Sequence, residues 1–275
     1  MPGLRILVVR LGAMGDIVHA LPAAASLKQS FPHSHLAWAV EERWTPLLSQ
    51  NPFIDEVISA NRRSLGSLLA VRRRLREKAF DIAIDFQGLL KSALTASLAR
   101  PESIYGFDYS QLREPLAALF YSRAVKTRAA HVVDQNLELA EAAGATVIVR
   151  TFAIPPGGPD GVLPDGDFVL ASPFAGWTSK QWPLENYSQL GRRLMNEAGL
   201  RLVVNVPPDS GCELPNVWLH ASGLDGLIDA TRRAIGVVGV DSGPMHLAAA
   251  LGKPGVAIFG PTDSARNGPY GSSFT

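Results

Sequence analysis

One cysteine, Cys212, stands in a chain of 275 residues. That excludes an internal disulfide and any zinc site built from several thiolates, and it fits a reducing compartment. Charge of one sign is missing too. The 26 Lys and Arg against 25 Asp and Glu leave a formal net charge of +1, too balanced for bulk nucleic-acid binding. No apolar run approaches the length of a bilayer-spanning helix. The four apolar residues between Arg5 and Arg10 are too few for a secretory signal. Any membrane contact is therefore expected to be peripheral. Also absent are G-x-G-x-x-G, a Walker lysine motif, a G-x-S-x-G elbow and a zinc-spaced histidine pair. Glu42 does stand where a ribose-binding acid would, so a nicotinamide enzyme is weakened rather than eliminated.

What is present is an alternation of strands and helices, in a chain with 47% hydrophobic residues. It opens on Arg5–Lys28. Ile6-Leu7-Val8-Val9 reads as a parallel strand buried on both faces. Arg10-Leu11-Gly12-Ala13-Met14-Gly15-Asp16 breaks it with two glycines, and Ile17, Val18, Leu21, Ala24, Ala25 and Leu27 then recur at helical spacing. Strand, glycine loop and helix turn backbone N–H groups and a positive dipole end toward the loop, which suits an anionic or phosphorylated ligand. The ordinary reading of Asp16 is an N-cap.

Further strands are read at 36–40, 55–58, 80–86 and 104–107, and helices at 65–78, 89–99, 114–121 and from His131 to about Ala143. Arg72, Arg73, Arg74 and Arg76 crowd the helix at 65–78. They form either a solvated basic face or a surface for an acidic or membrane partner. Gln87-Gly88 repeats the strand, glycine and helix order, at the sheet edge where ligands of open α/β proteins bind. Lys91 falls in a first helical turn, where the dipole disfavours a cation. It is either a solvent-facing lysine or the sign of an anionic partner.

Ile154-Pro155-Pro156-Gly157-Gly158-Pro159-Asp160-Gly161 continues neither helix nor central strand and marks a domain boundary. Strands at 168–171, 202–206, 235–240 and 256–259 then alternate with helices at 184–197, 224–234 and 243–251. The expectation is two α/β domains with mostly parallel sheets, their strand-end loops across a cleft from each other. Ser172 to Pro183 is a long strand-to-helix loop with small residues, Thr178, Ser179, Lys180 and two tryptophans. Backbone there can approach a phosphate and the ammonium can neutralise a diphosphate. Asp241-Ser242-Gly243-Pro244-Met245-His246 joins a buried strand to a helix. Ser242 is read as a cap or a phosphate donor, and His246 as a core histidine or a site residue.

RLGAMGDIVHALPA, DFQGLLKSA at 85–93, REPLAALFY at 113–121, the His131 helix, Lys180-Gln181-Trp182-Pro183, DSGPMHLAAALGKP at 241–254 and GPTD at 260–263 together resemble the ADP-heptose:lipopolysaccharide heptosyltransferases, a glycosyltransferase family, and most of all its first-heptose type. The resemblance covers nearly the whole chain. It implies a GT-B fold, two Rossmann-like domains facing each other across a cleft. Residues 1–152 would bind the acceptor, 153–166 would link, and 167–275 would bind the nucleotide sugar. It implies inverting transfer of heptose from ADP-heptose to a Kdo-bearing lipid A. No essential metal or other cofactor is expected, and the enzyme would lie in the cytoplasm, peripherally on the inner face of the inner membrane.

By the same resemblance Asp16 is the general base, although a helix N-terminus lowers an Asp pKa and weakens it for that task. Lys180 contacts the donor phosphates, with Thr178 and Ser179 nearby. Asp241, Ser242, Gly243 and His246 form the second nucleotide-binding motif. Gly15 and Gln87 belong to the acceptor side. Arg62, Arg63, Lys91, Arg113 and His131 are expected to form a basic wall for the acceptor's carboxylates and phosphates.

Three departures are visible. Ala175 and Gly176 replace threonines usual in the first-heptose type. The segment from Val206 to Leu224 is short and carries Pro207, Pro208 and Pro215. The chain ends at Thr275, soon after GPTD, where relatives continue through a further helix. The rival readings are a family transferase with another acceptor, a sugar-nucleotide epimerase, and a non-catalytic nucleotide-sugar binder.

Overall fold

Ile6, Leu7, Val8 and Val9 are all fully buried, because the strand they form has neighbours on both sides and helices on both faces. In the computed structural model, which describes residues 3–60, 65–271 and 273–275, this strand is β1 (Arg5–Val9). It is followed by α1 (Met14–Ser30), β2 (His35–Val40), β3 (Glu56–Ser59), α2 (Leu65–Glu77), β4 (Ile82–Asp85), α3 (Leu90–Leu98), β5 (Ser103–Phe107), β6 (Arg123–Val125) and α4 (Val132–Ala142). All six strands are parallel, in the order β3-β2-β1-β4-β5-β6. The order reverses between β1 and β4, so the loops leaving those two strands flank the sheet's switch point.

Side chains alternate across the sheet. Leu7, Val9, Ala37, Ala39 and Ala83 pack under Val71 and Leu75 of α2 and Ala96 of α3, with Leu98 and Tyr121 against the same cluster. Right-handed crossovers put α1 on the opposite face, and α1 and α4 lie against each other.

The second half comprises β7 (Phe168–Ser172), α5 (Leu184–Ala198), β8 (Arg201–Val206), β9 (Trp218–Ala221), α6 (Leu224–Arg233), β10 (Gly236–Val240), α7 (Gly243–Ala250), β11 (Gly255–Ile258) and α8 (Ser264–Asn267). Its sheet is also parallel, in the order β11-β10-β7-β8-β9. The switch point falls between β7 and β10. Among the described residues no helix is long and apolar enough to cross a membrane.

The chain divides into compact units at Met1–Ala153 and Ile154–Thr275. Of residues 153–166, expected as a linker, 154–166 fall in the second unit, where they have no regular structure but pack along it. Arg232 Nη2 donates to the carbonyls of Ile154 at 2.7 Å and Pro155 at 3.0 Å. His220 Nε2 lies 2.9 Å from the Asp160 carbonyl, and burial holds the imidazole pKa down. Gly161, at φ +84, passes so close that a Cβ would stand 2.6 Å from the Ala221 carbonyl.

Residues 114–121 correct the sequence reading. They form a 3₁₀ turn, Pro115–Phe120, not an α-helix, since a six-residue piece bounded by proline cannot sustain i to i+4 bonding. β6 and β9 add to that reading: each is short and neither presents a continuous apolar run. β9 lies in the 206–224 segment that the sequence marks as shortened.

Candidate functional site

In the first unit, one arginine joins the two switch-point loops. Arg10 leaves β1 with its side chain buried. Its Nη1 donates to the Phe86 carbonyl at 2.5 Å, and its Nη2 meets Asp16 Oδ2 at 2.5 Å. The Leu11 amide donates to Gln87 Oε1 at 2.9 Å. The ends of β1 and β4 are thus laced together, with Gly15, Asp16 and Gln87 beside one another.

Asp16 is not the N-cap. That position belongs to Ala13, and Asp16 is the third residue of the helix, because the glycine loop turns into α1 earlier than the hydrophobic period indicates. From there its Oδ2 reaches back to the Ala13 amide at 3.3 Å, half of a capping box. The side chain is 45% exposed, and Oδ1 has no partner among the described residues.

Lys91 pairs with Glu41 Oε1 at 3.1 Å, and Glu41 Oε2 pairs with Arg43 at 3.1 Å. Burial raises the Glu41 carboxyl pKa, but the two cations outweigh it and hold it below the ordinary value. Arg113 is exposed. Its neighbour Glu114 accepts from the Leu90 amide at 2.7 Å, which sets Arg113 near the start of α3. His131 caps α4 by accepting from the Val133 amide through Nδ1 at 3.1 Å. Its ring meets His19 of α1 edge-on at 5.6 Å, and His19 lies one turn beyond Asp16. Arg62 and Arg63 lie outside the described residues. Of the expected basic wall, then, Lys91 is engaged by an acid and His131 holds a helix end.

The structure adds Asp85, which the sequence reading does not single out. This carboxylate, fully buried at the end of β4, receives the amides of Gln87 at 2.8 Å and Gly88 at 3.3 Å, the Ser92 hydroxyl at 2.8 Å and the Tyr121 hydroxyl at 2.7 Å. Burial pushes its pKa up even so, and burial, then the nearby carboxylate, pushes the Tyr121 phenol up. The cluster fixes the 87–88 turn beneath Leu11. A carboxylate just before Q-G and a tyrosine at the end of REPLAALFY are its only signals. Removing one donor leaves a buried acceptor short. Tyr121→Phe is therefore expected to destabilise the protein by about 1–3 kcal/mol, read as a lowered midpoint of chemical denaturation with an unchanged slope.

In the second unit, Asp241 directly follows β10 and is the centre of the other site. Lys180 Nζ meets its Oδ2 at 2.6 Å, the Thr262 hydroxyl donates to the same oxygen at 2.6 Å, and His246 Nε2 lies 3.6 Å from Oδ1. Burial alone would raise the Asp241 pKa, but His246, Lys180 and Thr262 together hold it well below the carboxylate range. Thr178–Lys180 is a 3₁₀ turn, and Lys180 Nζ also sits 5.3 Å from the Trp177 ring centre. Gly260 lets the GPTD turn lie against this loop, since a Cβ there would stand 2.8 Å from the Ser179 carbonyl.

Ser242 is the N-cap of α7 by backbone geometry, yet its hydroxyl makes no capping bond. Ser242 Oγ and Ser172 Oγ are both buried without a partner. The Gly243 amide begins the helix without an intrahelical acceptor, whereas Pro244 has no N–H and the Met245 and His246 amides donate to the Ser242 carbonyl at 3.2 and 3.4 Å. Lys180, Asp241, Ser242, Gly243 and His246 are thus gathered at the second switch point, with exposed Thr178 and Ser179 on its rim. Positive charge, a helix start with its Gly243 amide, and spare hydroxyls in one place suit an anionic, phosphate-bearing ligand. Among the described residues no three His, Cys, Asp or Glu side chains are gathered where a metal ion could be held.

Residues 68–275 match the model of glycosyltransferase family 9 (heptosyltransferase). The chain belongs to that family. Among similar proteins, lipopolysaccharide heptosyltransferase 1 of Pseudomonas aeruginosa is 30% identical over 301 residues, covering 98% of this chain and 82% of that protein. The E. coli heptosyltransferase WaaC, solved with ADP, superposes with a TM-score of 0.82 at 28% identity, over 99% of this chain and 92% of WaaC. WaaC solved with ADP-2-deoxy-2-fluoro heptose gives a TM-score of 0.80 at 27% identity, over the same shares. This glycosyltransferase therefore has the GT-B class of fold, with two parallel sheets, each carrying a polar cluster at its own switch point.

Proposed function

We propose that this enzyme transfers heptose from ADP-heptose to the Kdo of a lipid A acceptor in lipopolysaccharide core assembly, with inversion at the anomeric carbon. The observation that carries the reading is the Lys180–Asp241 pair with the spare hydroxyls and the Gly243 amide beside it, in a chain similar over 99% of its length to a heptosyltransferase solved with an ADP-heptose analogue. In this reading Lys180 and the Gly243 amide take the diphosphate, helped by Ser242, Thr178 and Ser179. Asp241 orients Lys180 and His246 orients Asp241. As the bond from the anomeric carbon to the phosphate oxygen breaks, charge grows on ADP. Donors already aimed there stabilise it.

The acceptor hydroxyl attacks the opposite face of the anomeric carbon and loses its proton to Asp16. Oδ2 is held by Arg10, so Oδ1 is the oxygen available for that proton. Arg10 thereby becomes a positioning residue. Gly15 and Gln87 shape the acceptor side, with Lys91 and Arg113 supplying its positive charge together with Arg62 and Arg63, and His131 contributing as a hydrogen-bonding ring. The reaction needs cytoplasmic ADP-heptose and an acceptor at the inner membrane face.

Incubation with ADP-heptose and Kdo-bearing lipid A tests the reading. The expected result is one heptose added to the acceptor for each ADP released. ADP release without acceptor modification, or transfer only to an already heptosylated core, would overturn it.

A further inference from the structure

We infer that a leucine ridge on one face of the first unit docks this enzyme on an anionic bilayer, with leucines in the acyl boundary and arginines on the headgroups. The inference rests on the lipid-linked acceptor of the preceding reading, and adds which surface meets the membrane.

Large apolar side chains are exposed unevenly. In the first unit seven are exposed among the described residues, and six of them, Leu69, Leu90, Leu94, Tyr109, Leu116 and Leu119, lie on α2, α3 and the two 3₁₀ turns that follow β5. Leu119 is 81% exposed and Leu116 60%. The two stand three residues apart in a 3₁₀ turn, where such positions eclipse and point the same way. That turn packs beside α3, whose Leu90 and Leu94 are one helical turn apart. Helices α2 and α3 and Tyr121 cover the same face of the sheet, so the exposed leucines crown one side. Burial does not explain them. The 3₁₀ turn is anchored from beneath by Ala117, and Leu116 and Leu119 face away from that anchor.

The charges beside the ridge identify the partner. Exposed Arg113 and Arg123 bracket the 3₁₀ turn, and neither has an acidic partner among the described residues. At the other end three cations gather: burial, then the neighbouring Arg100 and Arg72, hold the Arg76 guanidinium pKa down, and Arg76 Nε is buried without an acceptor. The nearby acids are engaged: Glu114 by the Leu90 amide, Glu77 by Arg73 at 2.7 Å and Glu56 by Arg74 at 3.0 Å. An apolar strip with unneutralised arginines at both ends matches an anionic membrane surface. A second copy fits less well, because a two-fold contact through this face would set like charges against each other.

Flotation of the full chain with vesicles of phosphatidylcholine and phosphatidylglycerol at about 7:3, anionic enough to engage basic side chains, tests the inference. Binding is expected, weaker on pure phosphatidylcholine. Leu116→Ser/Leu119→Ser should reduce partitioning by about tenfold or more, while transfer to a deacylated, water-soluble Kdo acceptor stays unchanged. In a second variant, Leu119→Trp, quenching by bromine-labelled acyl chains should exceed that of the native tryptophans. Equal flotation of wild type and the serine variant, or quenching in Leu119→Trp no greater than in the wild type, would overturn the inference. So would concentration-dependent dimerisation that the serine variant abolishes, which would assign the ridge to a second copy. Ridge-dependent flotation without any heptose transfer would leave the docking surface standing and remove the proposed reaction; transfer to the soluble acceptor without flotation would do the reverse.

Discussion

Asp16→Asn is expected to slow heptose transfer by roughly 10²–10⁴-fold, the range that a positioned general base contributes, with ADP affinity unchanged. Asparagine is the informative replacement. Its side-chain oxygen can still accept from the Ala13 amide, as Asp16 Oδ2 does at 3.3 Å, so the helix end stays capped. What it loses is the ability to take a proton and the charge that faces Arg10 Nη2 at 2.5 Å. If Asp16 served only to cap α1 and pair with Arg10, the variant would transfer like the wild type, with at most a lower thermal midpoint. Single-turnover rates at saturating acceptor, with thermal midpoints in parallel, separate the two roles. A wild-type rate in Asp16→Asn would return the residue to capping. Arg10→Met should give a smaller loss in rate, because Oδ1 stays in place but the carboxylate is free to rotate once its 2.5 Å partner is gone.

The alternation of strands and helices was legible because strands in the middle of a sheet are short, mostly apolar runs, and the loops after β1, β4, β7 and β8 carry glycine or proline. β1 and β10 are the clearest cases, and the two switch points follow from their order. What escaped was structure held by partners far away in sequence. β6 has three residues and takes its register from β5, and nothing in Arg123-Ala124-Val125 says so by itself. Asp85 reads as one more strand residue, since its four donors come from the next turn, from α3 and from Tyr121. Arg10 looks like the end of a strand, although it reaches Phe86, 76 positions along the chain, and holds Asp16 as well. Family resemblance supplies Asp16, Lys180 and Asp241, but not that Lys180 and Asp241 hold each other, nor that Lys91 faces Glu41. Pairing of this kind depends on which loops the sheet order brings together.

That mutual hold makes the second site the other place where a single change should matter most. Asp241→Asn removes the charge that faces both Lys180 and His246, in a cluster whose carboxylate side chain is 5% exposed. Breaking a buried pair from one side costs about 3–5 kcal/mol, so a large drop in thermal midpoint is expected. The folded carboxyl gives up its proton more readily than an unstructured Asp at 3.8. The stability it provides is therefore complete above that value and drains away as pH falls below it. Asp241→Asn should flatten this acid limb and leave stability near neutral pH uniformly lower. Lys180→Ala is expected to weaken ADP binding by about 10–100-fold, the scale of a lost charge-assisted hydrogen bond, and in part because an uncompensated Asp241 then faces the diphosphate. The double variant Lys180→Ala/Asp241→Asn takes away both charges and the repulsion. By calorimetric titration it should bind ADP better than Lys180→Ala and less well than the wild type. Affinity restored to the wild-type value would mean that Lys180 serves only to neutralise Asp241 and never touches the nucleotide.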